Sequence, residues 1–357
     1  MNETETFLSE RRAASDARLW DFTEALQAEI PASERDELIG DHTTIYAVGS
    51  GGRSELSPHS DLDVFLVKHG EPRRIDEVRL QSAILRALRL RGFPDPSGDA
   101  NFLKLHSAQA LIEKMGEPSD DWENTFTARM LLLLESRPLV GSAAYERLAA
   151  NALSAYWKNV ERHREDYLPI ILLNDIIRYW RILLLNYESK TAEKLRRMVE
   201  RFPDEAAEER RVAEKDLESD KQLRTYKLRF SRCLMCYSSV AYLLAEVRST
   251  MAQGKKGHVT REAAARMVSL TPIERMTDAI EKTQGDERAQ KAGAELLALY
   301  AGFLKDSARP KAELLALFAD AQSKRPLFRA AWEFGEKMYE FVAALGVDNP
   351  LFRYLVV

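Results

Sequence analysis

The chain has 357 residues, 45% of them hydrophobic and 30% charged, which is enough for buried cores in two or three domains. Its formal net charge of −4 provides no general attraction to nucleic acid, so a nucleic-acid partner is not favoured. It has neither the apolar core of a secretory signal nor a run of ~18 apolar residues, so we expect a cytoplasmic protein without a membrane partner.

The first hundred residues alternate between helical and strand patterns. Residues 5–30 repeat apolar side chains at helical spacing, which predicts a helix. Residues 43–48 are β-branched and aromatic and predict a strand, and residues 61–67 predict a second one. Helical periodicity returns over residues 74–91, and residues 101–106 are consistent with a short third strand.

From about residue 107 onward the strand-like alternation disappears, and we predict that almost every segment is helical. Thr271, Pro272 and Glu274 form the pattern of a capping box at the start of a helix. Residues 203–222 are almost wholly polar, which indicates either a solvated helix or a mobile connector. We therefore predict an α+β protein with a small mixed sheet near the amino terminus and a large helical region after it.

The segment between the first two predicted strands carries the clearest chemical signal. Gly49 to Gly52 form a glycine- and serine-rich turn, whose accessible N–H groups can cradle a phosphate. Asp61 and Asp63 are two apart on a predicted strand and therefore project from one face. Such neighbouring carboxylates repel each other unless a cation lies between them, and Mg²⁺ prefers carboxylate and phosphate oxygens. Either feature alone is common, but in this order they predict a metal-dependent nucleotide site.

The same segment resembles a known signature. GSGGRSELSPHSDLDVFLV is similar to polymerase β-type nucleotidyltransferases, in particular the branch with the PII-protein uridylyltransferase and the glutamine synthetase adenylyltransferase. Residues 134–141 are similar to the L-E-x-R-x-x-x-G run that closes the catalytic unit in those enzymes. The order G-x-x-G-R-x-E-x-x-x-x-S-D-x-D of that branch is matched by Gly49, Gly52, Arg53, Glu55, Ser60, Asp61 and Asp63.

The resemblance implies a role for each matching residue. Gly49 and Ser50 would bind the β- and γ-phosphates of an NTP, and Asp61 and Asp63 would bind Mg²⁺ or Mn²⁺. Two alternatives are open for Arg53 and Glu55. They would either shape the turn or contact nucleotide, or they would form an ion pair with each other. The candidate nucleotide-binding residues of the segment are Gly49, Ser50, Gly52, Arg53, Glu55 and Ser60.

The family normally supplies a third carboxylate from a later strand, but residues 101–106 contain no acid. Asp95 is the preferred candidate for this catalytic position, and Asp99, Asp121 and Glu123 are the alternatives. If none of them serves, the protein binds nucleotide without turning it over.

A basic segment further along the chain offers cations for a triphosphate. Lys227 and Arg229 are candidate nucleotide-binding residues if their helix faces the cleft, and a solvated helix face is the alternative. Asp175 and Arg178 are three apart on a predicted helix, so they either form an intrahelical pair or contact phosphate or acceptor.

We predict three regions: an amino-terminal helix (1–40), a nucleotidyltransferase catalytic domain (41–145) and a helical domain that binds substrate or partner (146–357). The predicted reaction moves a nucleoside monophosphate from an NTP to a hydroxyl of a protein or small molecule and releases pyrophosphate. A catalytically degenerate, nucleotide-binding regulatory or scaffold protein is the alternative.

Overall fold

The computed structural model of the chain is mostly helical and contains one small sheet near the amino terminus, so the protein is of the α+β class. No helix in the part of the chain that is described combines the length and the apolar character needed to cross a membrane. The structure describes residues 3–96, 103–158, 160–163, 165–201 and 207–356.

Two compact units divide the chain. The first contains Met1–Pro169 and Lys255–Glu274, and the second contains Ile170–Gly254 and Arg275–Val357. All strands of the sheet belong to the first unit.

Helices account for most of both units. Those of the amino-terminal part are α1 (Glu3–Glu29), α2 (Ala32–Leu38), α3 (Gly49–Gly52), α4 (Arg74–Leu90), α5 (Ala108–Glu113), α6 (Ser119–Trp122), α7 (Thr125–Leu134) and α8 (Ser142–Ala155). Those that follow are α9 (Ile170–Arg201), α10 (Ala207–Lys227), α11 (Cys233–Ala252), α12 (Arg261–Ser269), α13 (Pro272–Glu281), α14 (Glu287–Ser307), α15 (Lys311–Ala319) and α16 (Ala321–Gly346). The helices predicted over residues 5–30 and 74–91 are confirmed as α1 and α4.

The sheet is mixed and has the strand order β3-β2-β1-β4. β1 pairs antiparallel with both β2 and β4, whereas β3 runs parallel to β2. Val48, at the end of β1, lies opposite Asp63, the first residue of β2. The strands are β1 (Thr43–Val48), β2 (Asp63–Lys68), β3 (Leu105–Ser107) and β4 (Arg137–Val140).

The predicted bounds of two strands need correction. β2 begins at Asp63 rather than at Asp61, because β1 ends at Val48 and the ladder between the two strands ends with it. β3 begins at Leu105, and residues 101 and 102 of the prediction lie outside the described residues. Asp61 therefore precedes the strand that carries Asp63.

The sequence predicts no strand after residue 107, but β4 is a strand at the edge of the sheet. Only four residues long, it includes Pro138, so its sequence has no run of alternating side chains. A proline is tolerated in an edge strand, where one N–H group needs no partner.

Helices pack against both faces of the sheet. On one face α1 and α4 supply Phe22, Leu26 and Ile84, which form a fully buried core with Ile45 and Leu66 of the strands. On the other face α8 packs over β1. Alternate residues of each strand thus pack into this core, and the residues between them point to the opposite face of the sheet.

The second unit is helical in its described part. α10 and α11 are joined without a break by a π-helical segment, Leu228–Arg232. The ring of Phe230 in this segment lies 4.8 Å from that of Phe303 and 4.7 Å from that of Phe334, measured between centroids, so the segment is anchored in an aromatic core. The polar stretch 203–222 was predicted to be either a solvated helix or a mobile connector. From residue 207 onward it is helical and belongs to α10.

The predicted capping box at the start of α13 is confirmed. The backbone N–H of Thr271 donates to Oε2 of Glu274 at 2.8 Å, and the N–H of Glu274 donates to Oγ1 of Thr271 at 3.3 Å. These reciprocal bonds satisfy N–H groups that a helix start otherwise leaves without partners.

Candidate functional site

The glycine-rich segment after β1 folds into the single helical turn α3. Gly49 has a φ of +63°, in the left-handed region that favours glycine. The N–H of Arg53 donates to the carbonyl of Gly49 at 3.1 Å, and the N–H of Glu55 donates to that of Ser50 at 2.8 Å. The turn is therefore fixed by its own backbone directly after the strand.

The carboxylate of Asp63 lies against this turn. A Cβ atom on Gly49 would lie 3.1 Å from Oδ2 of Asp63. Asp61 and Asp63 are both exposed, whereas Leu62 between them is buried in the core of the first unit. Both acids thus project away from the core, at the end of the sheet where the glycine turn lies.

Ser60 closes a turn that leads from the glycine segment to the two acids. Its hydroxyl accepts a hydrogen bond from the N–H of Ser57 at 2.9 Å, and its own N–H donates to the carbonyl of Ser57 at 3.0 Å. Arg18 of α1 also donates to that carbonyl. In this structure Ser60 orders the chain immediately before Asp61.

Arg53 is buried between two carboxylates. Its Nε donates to Oε2 of Glu55 at 2.7 Å, and its Nη1 donates to Oε2 of Glu135 at 2.5 Å. The ion pair of Arg53 with Glu55, one of the two alternatives open from the sequence, is therefore present. All three side chains are buried, which leaves the guanidinium little surface for a ligand.

Glu135, just before β4, and Arg137, its first residue, contact three successive residues from the end of the glycine turn onward. The carbonyl oxygen of Glu135 would lie 1.9 Å from a Cβ atom on Gly52, so only glycine fits there. Besides the pair between Glu135 and Arg53, Arg137 donates to the hydroxyl of Ser54, which has a left-handed φ of +57°. The segments 49–63 and 134–141 are thus in contact, which the two motifs did not indicate by themselves.

The acids considered for the third carboxylate lie in different places. Asp95 is exposed in the loop after Phe93, whose ring packs on Phe22 in the core behind the sheet. Glu123 forms an ion pair with Lys114, and Asp99 lies outside the described residues. Within the described ranges no group of three or more His, Cys, Asp or Glu side chains is arranged to hold a metal ion.

Lys104, just before β3, and His106 within it lie on the same face of the sheet as Asp63. Leu105 is buried in the core, so Lys104 and His106 on either side of it point to the opposite face. The ring of His106 stacks on that of Phe65 with centroids 5.6 Å apart, and Phe65 follows Asp63 by two positions on β2. Burial, and to a lesser degree Lys104, lowers the pKa of His106, so the imidazole is neutral near pH 7.

A comparison of the chain with known protein families, curated proteins and solved structures gives no match. The similarity of its motifs to nucleotidyltransferases therefore stays a prediction.

The basic candidates belong to the second unit. Lys227 and Arg229 are exposed, and the Arg229 guanidinium lies 5.9 Å from the centroid of the Phe328 ring. The intrahelical alternative for Asp175 and Arg178 is present as an ion pair of 3.9 Å. Contact of Lys227 or Arg229 with a triphosphate stays a prediction.

Proposed function

We propose that the first unit binds a nucleoside triphosphate together with Mg²⁺ or Mn²⁺ and transfers its nucleoside monophosphate to a hydroxyl acceptor. The observation that carries this proposal is the position of the Asp63 carboxylate against Gly49. It brings a negatively charged oxygen next to a turn suited to phosphate, and a cation between the two would compensate both charges.

The donor set fits a hard divalent cation. Asp61 and Asp63 offer carboxylate oxygens that face solvent, while Leu62 fixes the chain between them in the core. A bound cation would neutralise the polyphosphate and orient the α-phosphate for in-line attack. The half-buried Ser50 and the N–H groups of the turn would donate to phosphate oxygens.

The reaction forms a bond between the acceptor oxygen and the α-phosphorus. The bond from this phosphorus to the bridging oxygen breaks, and pyrophosphate leaves with the electron pair. The hydroxyl proton passes to water or to a carboxylate of the site. The acceptor is a side chain of a protein partner or a small molecule, because the net charge of −4 does not favour nucleic acid.

A nucleotide-binding regulatory or scaffold protein is the second candidate. It is favoured by the residues at the start of β3, because Lys104, just before the strand, and His106 within it occupy the face on which a third carboxylate would be useful. The Lys104 cation on that face would strengthen binding of a polyphosphate without activating an attacking oxygen.

The two candidates are separated by an activity measurement. The protein is incubated with each labelled NTP and Mg²⁺ or Mn²⁺, and label transfer and pyrophosphate release are compared with those of Asp61→Asn/Asp63→Asn. The matched control is Asp21→Asn/Asp36→Asn, which removes the same charge from two exposed aspartates of the first unit. We expect turnover in wild type and control only. Equal turnover in all three proteins contradicts catalysis by Asp61 and Asp63, and tight binding without turnover favours the regulatory protein.

A further inference from the structure

Glu135 contacts the glycine turn with two different groups. Its carboxylate accepts a hydrogen bond from Nη1 of Arg53 at 2.5 Å. Its backbone carbonyl lies against Gly52, where a Cβ atom would come within 1.9 Å of the oxygen. One residue, two positions before β4, therefore contacts both Gly52, the last residue of the turn, and Arg53, which follows it.

The turn passes this restraint on to Asp63. The N–H of Arg53 donates to the carbonyl of Gly49 at 3.1 Å, and Gly49 is the residue that the Asp63 carboxylate lies against. A displacement of Arg53 would thus move the carbonyl of Gly49 and change the space beside Asp63. Glu135 itself is buried and acts only through its neighbours.

The ion pair between Glu135 and Arg53 is a tertiary contact, because 82 positions separate the two residues in the sequence. Burial strengthens the pair, since a charge-assisted bond in a dry environment resists thermal distortion. Neutralising Glu135 would leave Glu55 as a carboxylate partner of Arg53 and would remove the charge-assisted bond between Arg53 and Glu135.

We propose that Glu135 is a positioning residue, which through Arg53 fixes the glycine turn at the distance from Asp63 that cation and phosphate binding require. The consequence for binding rests on the proposed function, whereas the effect on the turn itself does not. Residues that hydrogen-bond a metal ligand from behind have a comparable role. Their mutation weakens metal binding by about ten- to a hundredfold.

A second buried pair in the same unit supplies a matched control. Arg129 of α7 donates to Asp120 of α6 at 2.5 Å, and their side chains are 0% and 1% exposed, compared with 6% and 0% for Arg53 and Glu135. Glu135→Gln and Asp120→Asn each remove one carboxylate charge from a buried pair with arginine. Only the first pair contacts the glycine turn.

The test combines thermal unfolding, hydrogen exchange and ligand binding on the full chain. We expect both variants to lower the Tm. Only Glu135→Gln should speed amide exchange in residues 49–55 by about tenfold or more and weaken binding of Mn²⁺ with NTP by a similar factor. Equal exchange and equal affinity in the two variants would overturn the positioning role.

Two outcomes need separate treatment. If the wild-type chain binds neither Mn²⁺ nor any NTP, the proposed function fails, and the exchange of residues 49–55 still decides whether Glu135 positions the turn. If Glu135→Gln does not fold, Arg53→Lys replaces it, because lysine keeps the charge but cannot reach Glu55 and Glu135 in the same fork geometry. Unchanged exchange in Arg53→Lys would then contradict the proposal.

Discussion

Asp63 and Gly49 approach so closely that a methyl group on the glycine would lie 3.1 Å from the carboxylate oxygen Oδ2. The contact follows from the strand register, which places Val48 opposite Asp63 and leaves Gly49 at the end of the ladder. The left-handed φ of Gly49 then turns the chain so that its backbone, and not a side chain, faces the acid.

Gly49→Ala should therefore weaken the binding of cation and nucleotide beyond its effect on stability. The left-handed φ costs an alanine about 1 kcal/mol, and the methyl group displaces the Asp63 carboxylate. Gly92→Ala is the matched control, because its φ of +67° is similar and no atom lies within 4 Å of the added Cβ. Calorimetry with Mn²⁺ and NTP should show loss of affinity in Gly49→Ala alone, and equal affinities would refute this expectation.

Gly52→Ala should destabilise the first unit severely. Its Cβ atom would lie 1.9 Å from the backbone carbonyl of Glu135, which cannot move without shifting β4. We expect a loss of about 3 kcal/mol in the free energy of unfolding, measured by urea titration. Gly302→Ala on α14 has open space around the added Cβ and should leave this free energy unchanged or raise it. A Gly52→Ala variant as stable as wild type would contradict the close packing of the turn on β4.

Much of the fold was predictable because its main elements carry long periodic patterns. α1 and α4 bury one face against the sheet, and β1 is a run of β-branched and aromatic residues. β4 was not predictable, since four residues with Pro138 show no alternation and its place in the sheet is set by pairing with β1. The sequence indicated that Asp61 and Asp63 would project from one face, and both are exposed next to a buried Leu62.

The contact of Arg53 with Glu135, which supports the glycine turn, could not be predicted from the sequence. Arg53 and Glu135 are 82 positions apart, and neither residue type nor local spacing indicates that they pair. The motif at residues 134–141 was the only signal, and it gave no contact. Tertiary contacts of this kind depend on the register of the sheet, which the sequence alone did not fix.

The stability of the first unit should depend on pH through Asp76. The hydrogen bond from Arg73 at 2.9 Å, followed by that from Lys68 at 2.8 Å, lowers the pKa of the buried Asp76 to about 2. A depressed folded-state pKa stabilises the fold above the unfolded pKa of ~3.9, and this contribution is lost as the pH falls toward 2. Wild type should exceed Asp76→Asn in unfolding free energy by about 2 kcal/mol at pH 7.

This difference should shrink as the pH falls from about 4 toward 2, because wild-type Asp76 then becomes neutral as well. Urea titrations of both proteins at pH 7, 5, 4 and 3 measure it. A difference that stays constant over this range would contradict the ion-pair origin of the shift.

The proposed function requires that Asp61 and Asp63 hold a divalent cation against a polyphosphate bound at the glycine turn. Its most direct test is the dissociation constant of each NTP, measured with and without Mg²⁺, for wild type and for Asp61→Asn/Asp63→Asn. We expect Mg²⁺ to tighten binding to wild type by at least about tenfold and to have no such effect on the double variant. NTP binding that does not depend on Mg²⁺ in either protein, or that Mg²⁺ enhances equally in both, would contradict cation binding by Asp61 and Asp63.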